Sequence, residues 1–167
     1  ALATAQGVKG RVEVVPTPGK PYSVLIDYAH TPDGLENVLS SVKDFCTGRL
    51  IAVFGCGGER DVKKRPEMAG IAEKYADLSY VTGDNPRGES PEKIINDIVS
   101  GFTKSSYVCE PERAVAIRKA ILSANAGDII AVIGKGAEKY SIDRDGYHDF
   151  DERKIINDAM EERRRIK

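Results

Sequence analysis

The chain has 167 residues, with 25 Lys plus Arg against 26 Asp plus Glu and a formal net charge of −1, so no bulk positive field exists to hold nucleic acid or an anionic membrane. At 41% hydrophobic and 31% charged, with 16 Gly, the composition is that of an ordinary folded protein, and the length suits a single domain over 1–167. Three cysteines, none at CxxC spacing, argue against a disulfide framework or a zinc site and make a reducing cytoplasm the expected location.

The chain opens on Ala1 rather than Met, which implies that it was cut from a longer one, and residues 1–10 carry no basic region followed by an apolar stretch, so no secretory signal is read there. Arg11 to Val15 alternates as an edge strand does, and Pro16-Thr17-Pro18-Gly19 turns the chain into a β-rich run, Tyr22 to Tyr28, predicting an N-terminal hairpin. Leu35, Val38, Leu39, Val42 and Phe45 recur at helical steps, predicting an amphipathic helix that ends at Thr47-Gly48. Leu50 to Phe54 is a continuous apolar strand of the kind a sheet covered on both faces requires.

The alternation repeats: a helix over Arg65 to Tyr75, a strand over Leu78 to Thr82, and a helix with Ser90 as N-cap and Pro91 in its first turn. A short strand at Val108, a helix from Glu112 to Ala124 and a strand from Ile129 to Ile133 follow. Asp143 to Gly146 is a hairpin turn between Tyr140-Ser141-Ile142 and Tyr147 to Phe150. A last helix from about Asp151 buries Ile155, Ile156, Ala159 and Met160, and Glu161 to Lys167 reads as its solvated, fraying end. The longest apolar runs are strand-sized, well short of the roughly 20 residues of a membrane helix. The expected fold is α/β: a three-layer, Rossmann-like, mostly parallel sheet with helices on both faces and an N-terminal antiparallel edge.

In such a sheet, ligands collect outside the carboxyl ends of the strands, where loops and helix N-termini converge. Four turns lie there: Asp27 to Asp33, Gly55 to Asp61, Gly83 to Gly88, and Gly134 to Glu138. All carry polar or ionisable residues. Glycines in the second let backbone N–H groups approach a bound group, and Arg60 can grip a carboxylate or phosphate with two hydrogen bonds. Asn85 and Arg87 flank Pro86, which restricts the backbone they orient on.

Taken singly, each turn also admits a structural reading. Gly55 to Gly58 can be a tight connector, Asn85 and Arg87 a solvated loop, and Lys135 and Glu138 solvated charges at a Gly-x-Gly helix entry. His30 can be a hydrogen-bonded structural histidine, His148 a surface residue and Cys56 a small buried thiol. Neither the phosphate loop GxxxxGK[ST] nor GxGxxG occurs.

The four turns in this order resemble the C-terminal domain of the Mur ligase family, ATP-dependent amide-forming ligases of peptidoglycan precursor synthesis. The resemblance is carried by Gly10 to Glu13, Asp27 to Pro32, Gly55 to Pro66, Asp84 to Arg87 and Gly134 to Glu138. Within the family, Asp84-Asn85-Pro86-Arg87 is similar to the branch that adds meso-diaminopimelate rather than lysine.

The resemblance implies that Asp84 belongs to the substrate site, that Arg87, with Asn85 beside it, reads the distal carboxylate of that amino acid, and that Arg60 contacts the same carboxylate region. Gly134 and Glu138 would receive its polar end, Glu138 taking the ammonium. Arg11, Asp27, Tyr28, His30 and Asp33 would face the nucleotide. ATP and Mg2+ would be held mainly by a central domain, and the UDP-MurNAc dipeptide by an N-terminal one, neither within these residues. No metal ligand and no catalytic residue is assigned in this chain, and the domain by itself is expected to be silent. The family's fourth motif usually reads GKGHE, and Ala137 stands where its histidine would be. A lysine-adding or folylpolyglutamate-type ligase domain, or a non-catalytic α/β binding module, are the alternatives.

Overall fold

The computed structural model describes residues 12–166; Arg11, expected at the nucleotide, lies outside the described residues. The strands are β1 (Glu13–Val15), β2 (Ser23–Asp27), β3 (Leu50–Phe54), β4 (Leu78–Thr82), β5 (Tyr107–Glu110), β6 (Ile129–Ile133), β7 (Tyr140–Asp143) and β8 (Gly146–Asp149). The helices are α1 (Pro32–Lys43), α2 (Lys64–Tyr75), α3 (Pro91–Val99), α4 (Arg113–Ser123) and α5 (Glu152–Ile166). Strands one to six form a single sheet in the order β1-β2-β6-β3-β4-β5, and β7 and β8 a separate antiparallel hairpin. β1 is antiparallel to β2, and every other pairing in the large sheet is parallel.

The apolar runs of β3 and β6 are explained by layers on both faces. Leu50, Ala52 and Phe54 pack with α1, α2 and α3, while Ile51 and Val53 pack with α4 and α5, as period-two alternation requires. α1 starts where the Thr31 hydroxyl accepts from the Gly34 amide, and α3 where Ser90 accepts from Lys93, so both helices follow an N-cap and a proline at the first turn. The elements thus match the sequence expectation of an α/β sheet with an antiparallel edge. Among the described residues no helix is long and apolar enough to cross a membrane.

Three local expectations need correction. α1 ends at Lys43, so Phe45 is past the helical period and 60% exposed rather than buried. The stretch after Glu161 keeps helical structure to Ile166, with residues 164–166 exposed as expected; the Arg163 guanidinium donates to the Ile121 (2.6 Å) and Ala124 carbonyls at the end of α4 and sits over the Tyr22 ring. α4 has no basic residue in its own last turn, and Arg163 satisfies those orphan carbonyls from outside. Finally, Gly134 to Gly136 opens no helix; the chain goes from β6 through a turn into β7.

Candidate functional site

The strands β2, β6, β3 and β4 are consecutive in the sheet, so their four carboxyl-end turns stand side by side. α1 and α2 leave β2 and β3 towards one face, while the chain leaving β6 reaches α5 on the other. The gap is the kind of switch point at which ligands bind. A cavity of about 210 Å³ opens there, lined by Tyr28, His30, Gly57, Arg60, Lys64, Asp84, Asn85, Arg87, Gly134 and Glu138. Residues as far apart in the chain as Tyr28 and Glu138 therefore share one wall, with both signs of charge present.

Two loops make the cationic side. The Gly58 amide donates to the Asn85 carbonyl (3.1 Å), stacking the β3 turn on the β4 turn. Gly58 has no room for a side chain, since a Cβ would fall 1.8 Å from the Pro86 carbonyl oxygen. Its small size serves the packing of one loop on another, not the approach of a bound group anticipated from sequence.

Gly57 separates the two arginines: a Cβ on it would lie 3.0 Å from Arg87 Nη1 and 3.6 Å from Arg60 Cγ. Arg87 and Asn85 both adopt left-handed backbone, at φ of 53° and 45°, a conformation that needs support from surrounding contacts. The support is visible. Arg87 N donates to the Ile142 carbonyl (3.1 Å), and Arg87 Nη1 donates to the carbonyls of Gly58 (3.1 Å) and Asn85 (3.2 Å). Among the described residues Arg87 Nε and Nη2 have no partner, and Arg60 spends only Nη1, on the Glu59 carbonyl (3.3 Å). Both guanidiniums thus keep donors for an anion.

Below these loops lie charged groups that sequence reasoning missed. Arg65 is fully buried in α2; it donates to both oxygens of Glu89 (2.7 and 2.8 Å), to Asp97 (2.8 Å) and to the Gly57 carbonyl (3.3 Å). Glu89 also accepts from the Glu59 amide (3.0 Å), so one ion pair fastens both loops to the helices. The Arg65 guanidinium holds the Glu89 carboxyl down at a pKa of about 2.

On the opposite side, Arg113 donates to Glu152 (2.6 Å) and to the Ile133 carbonyl at the end of β6 (3.0 Å), both side chains being buried. Burial pushes the Glu152 carboxyl up while Arg113 opposes it. Removing one member of such a pair strands a buried charge, at about 3–5 kcal/mol. In sequence Arg65, Arg113 and Glu152 look like the solvated face of a helix; only burial distinguishes them.

The anionic side comprises Asp84 and Glu138. Glu138 Oε2 accepts from Asn85 Nδ2 (3.3 Å) and lies 3.8 Å from the Lys135 ammonium. Lys135 is 1% exposed, so the sequence option of a solvated charge at this turn does not hold; burial pulls its ammonium below the usual pKa, against the field of Asp84. Gly134, at φ 128°, would bring a Cβ to 2.5 Å from Asp84 Oδ2. Ala137 is exposed, whereas Gly134 and Glu138 on either side line the cavity.

The residues expected to face a nucleotide divide. Tyr28 and His30 line the cavity, ring edge against ring face at 5.0 Å. Asp33 lines a neighbouring cleft of about 480 Å³ that shares Arg60 and Lys64 with the first. Asp27 lines neither: it is buried, and its carboxylate accepts from Val12 N (2.7 Å) and Ala29 N (2.6 Å), which ties the turn to the chain entering β1. Lys64, unmarked in the sequence, bridges the clefts and donates to the His30 carbonyl (2.8 Å).

Cys56 is buried with its thiol pushed up to about 11 by burial, as befits a packing residue. His148 is exposed and paired with Asp143 (2.8 Å). Among the described residues no group of three or more His, Cys, Asp or Glu side chains could hold a metal ion.

Comparison with known proteins follows this geometry. The family described as Mur ligase, glutamate ligase domain, matches residues 10–136. A UDP-N-acetylmuramoyl-L-alanyl-D-glutamate–2,6-diaminopimelate ligase of Clostridium perfringens is 50% identical over 155 residues, covering 92% of this chain and 32% of the relative. A solved structure of a ligase of that name superposes with a TM-score of 0.88 at 38% identity, over 95% of this chain and 32% of the other. A bifunctional folylpolyglutamate synthase/dihydrofolate synthase from Yersinia pestis CO92 shares the fold, with a TM-score of 0.61 at 20% identity over 78% of this chain and 29% of the other. The chain spans about a third of the length of the curated relatives it matches.

Proposed function

Because the chain belongs to the Mur ligase family, through its glutamate ligase domain, we propose that it is the amino-acid-recognising domain of an ATP-dependent ligase that adds meso-diaminopimelate to UDP-MurNAc-L-Ala-D-Glu in peptidoglycan precursor synthesis. The observation that supports this most is that Arg60, Arg87, Asn85, Asp84, Gly134 and Glu138 line one cavity. An amino acid with a carboxylate and an ammonium at each end needs cations and an anion at fixed separation, and this cavity offers both. Arg87 and Asn85 donate to the distal carboxylate, Arg60 adds a second guanidinium, and Glu138 with Asp84 takes the distal ammonium. Lysine lacks the distal carboxylate and would leave the Arg87 donors unpaired, which is a strong basis for rejection.

The incoming amine would attack an acyl phosphate formed from the γ-carboxylate of D-glutamate and ATP, giving the amide and releasing phosphate, with ADP already formed. This domain's part is to hold and orient the amine and to form one wall of the cleft, with Tyr28, His30 and Asp33 towards the nucleotide. The magnesium ions that accompany ATP are assigned to the remainder of the ligase, along with the UDP-sugar site, and the enzyme to the cytoplasm.

Calorimetric titration of the chain with meso-diaminopimelate, lysine and ATP tests the reading. Diaminopimelate is expected to bind and lysine not. Arg87→Ala is expected to weaken diaminopimelate roughly 10- to 100-fold, the scale of a lost charge-assisted hydrogen-bond pair. Equal affinity for the two amino acids would overturn the reading.

A further inference from the structure

Asn85 lies 8% exposed between the cavity and the buried charges behind it. Its Oδ1 accepts from two groups, Lys135 Nζ at 2.6 Å and the Ile142 amide at 3.0 Å. Those bonds use both lone pairs of the oxygen, and neither partner can accept a hydrogen bond. Turning the amide over would set N–H against N–H in a buried place, so the oxygen is committed inward. Nδ2 consequently faces the other way, giving one hydrogen to Glu138 Oε2 at 3.3 Å, and its second hydrogen has no partner among the described residues.

Lys135 is itself held firmly. Its ammonium donates to the Tyr140 carbonyl (3.0 Å), lies 3.5 Å from Asp84 Oδ1 and sits 5.4 Å from the Phe150 ring centre. It does not line the cavity, whereas Asn85 does.

We propose that Lys135 is a positioning and specificity-determining residue: by locking the Asn85 amide oxygen inward it leaves Asn85 only N–H donors to show the cleft, which favour a carboxylate over an ammonium at that amide. Lys135 acts through Asn85 and touches no ligand. The ammonium also polarises the amide it binds, which strengthens Nδ2 as a donor. Without it, the Ile142 amide and the Glu138 carboxylate are left to oppose reversal, and a reversed Asn85 offers its oxygen to the ammonium of lysine. This inference rests on the amino-acid reading above and adds to it the group that sets the sense of selection.

The test begins with ligand-free protein. In 15N-labelled chain, the Asn85 side-chain amide pair is expected to be distinct and protected from exchange, and to move towards free-amide values in Lys135→Met; an unchanged pair would overturn the proposal. Titrations with meso-diaminopimelate and lysine then form a double-mutant cycle. Lys135→Met and Asn85→Ala should each weaken diaminopimelate about 10- to 100-fold, and the double variant no more than the larger single loss. Lysine affinity should be unchanged or raised in Lys135→Met.

Additive losses, or an equal loss of lysine binding, would overturn the proposal in favour of a merely structural lysine. Should Lys135→Met not fold, Asn85→Asp keeps an oxygen for both inward bonds and replaces the Nδ2 donor with an anionic oxygen facing Glu138; it should fold and lose the preference for diaminopimelate, and retention of that preference would overturn the proposal. If the unaltered chain shows no preference between the two amino acids, the amino-acid reading fails, while the ligand-free amide spectra still decide whether Lys135 sets the amide.

Discussion

Gly58 shows how much of this site is backbone against backbone. Its absent side chain leaves room for the Pro86 carbonyl, 1.8 Å from where a Cβ would stand, and no rotamer change relieves a clash with main chain. Gly58→Ala is therefore expected to destabilise the fold by about 3 kcal/mol, read as a lower urea midpoint at unchanged slope, and to displace Arg87. A midpoint equal to that of the parent would mean the loops part without cost. The cavity-lining residues Arg60, Asn85, Arg87, Gly134 and Glu138 were legible because they sit in turns just after apolar strands, where polar groups have few structural reasons to gather. Arg65, Arg113 and Glu152 were not legible. A charged residue on a helix reads as solvated until a packed neighbour removes the water, and nothing in local sequence reports that neighbour.

At the scale of elements, Glu89 joins the start of α2 to α3 and to the β3 turn through Arg65, Lys93 and the Glu59 amide. Its carboxyl is held at about 2, below the ordinary 4.5, chiefly by the Arg65 hydrogen bond. A carboxylate depressed in the fold binds protons more readily when unfolded, so its contribution is full above about pH 4.5 and is lost as pH falls towards 2. Thermal unfolding followed from pH 6 down to pH 3 should show a shallower acid loss in Glu89→Gln than in the parent; parallel curves would remove Glu89 from the account. Strand and helix periods were readable from hydrophobic spacing, and so was the cap at Ser90. The end of α5 was not, because Arg163 is ordered by the carbonyls of α4, 39 and 42 residues away.

Across the whole molecule, the sheet order β2-β6-β3-β4 gathers four turns that are far apart in sequence into one crevice. The proposed recognition belongs to that crevice, while the phosphate loop GxxxxGK[ST] is missing from the chain. With ATP, magnesium, UDP-MurNAc dipeptide and diaminopimelate all present, the chain alone is expected to release no ADP above background; robust turnover would show that the chemistry resides within it. The sequence by itself determined the α/β class, the strands and helices and the four turns that line the crevice, because hydrophobic period, capping and turn chemistry are local. Only the tertiary structure decided which turns share a wall, that Gly58 serves loop packing, that Asp27 is turned inward, and that Lys135 is buried against Asn85. Each of these depends on removing water between residues distant in the chain, and that desolvation is set by the packing of the whole sheet.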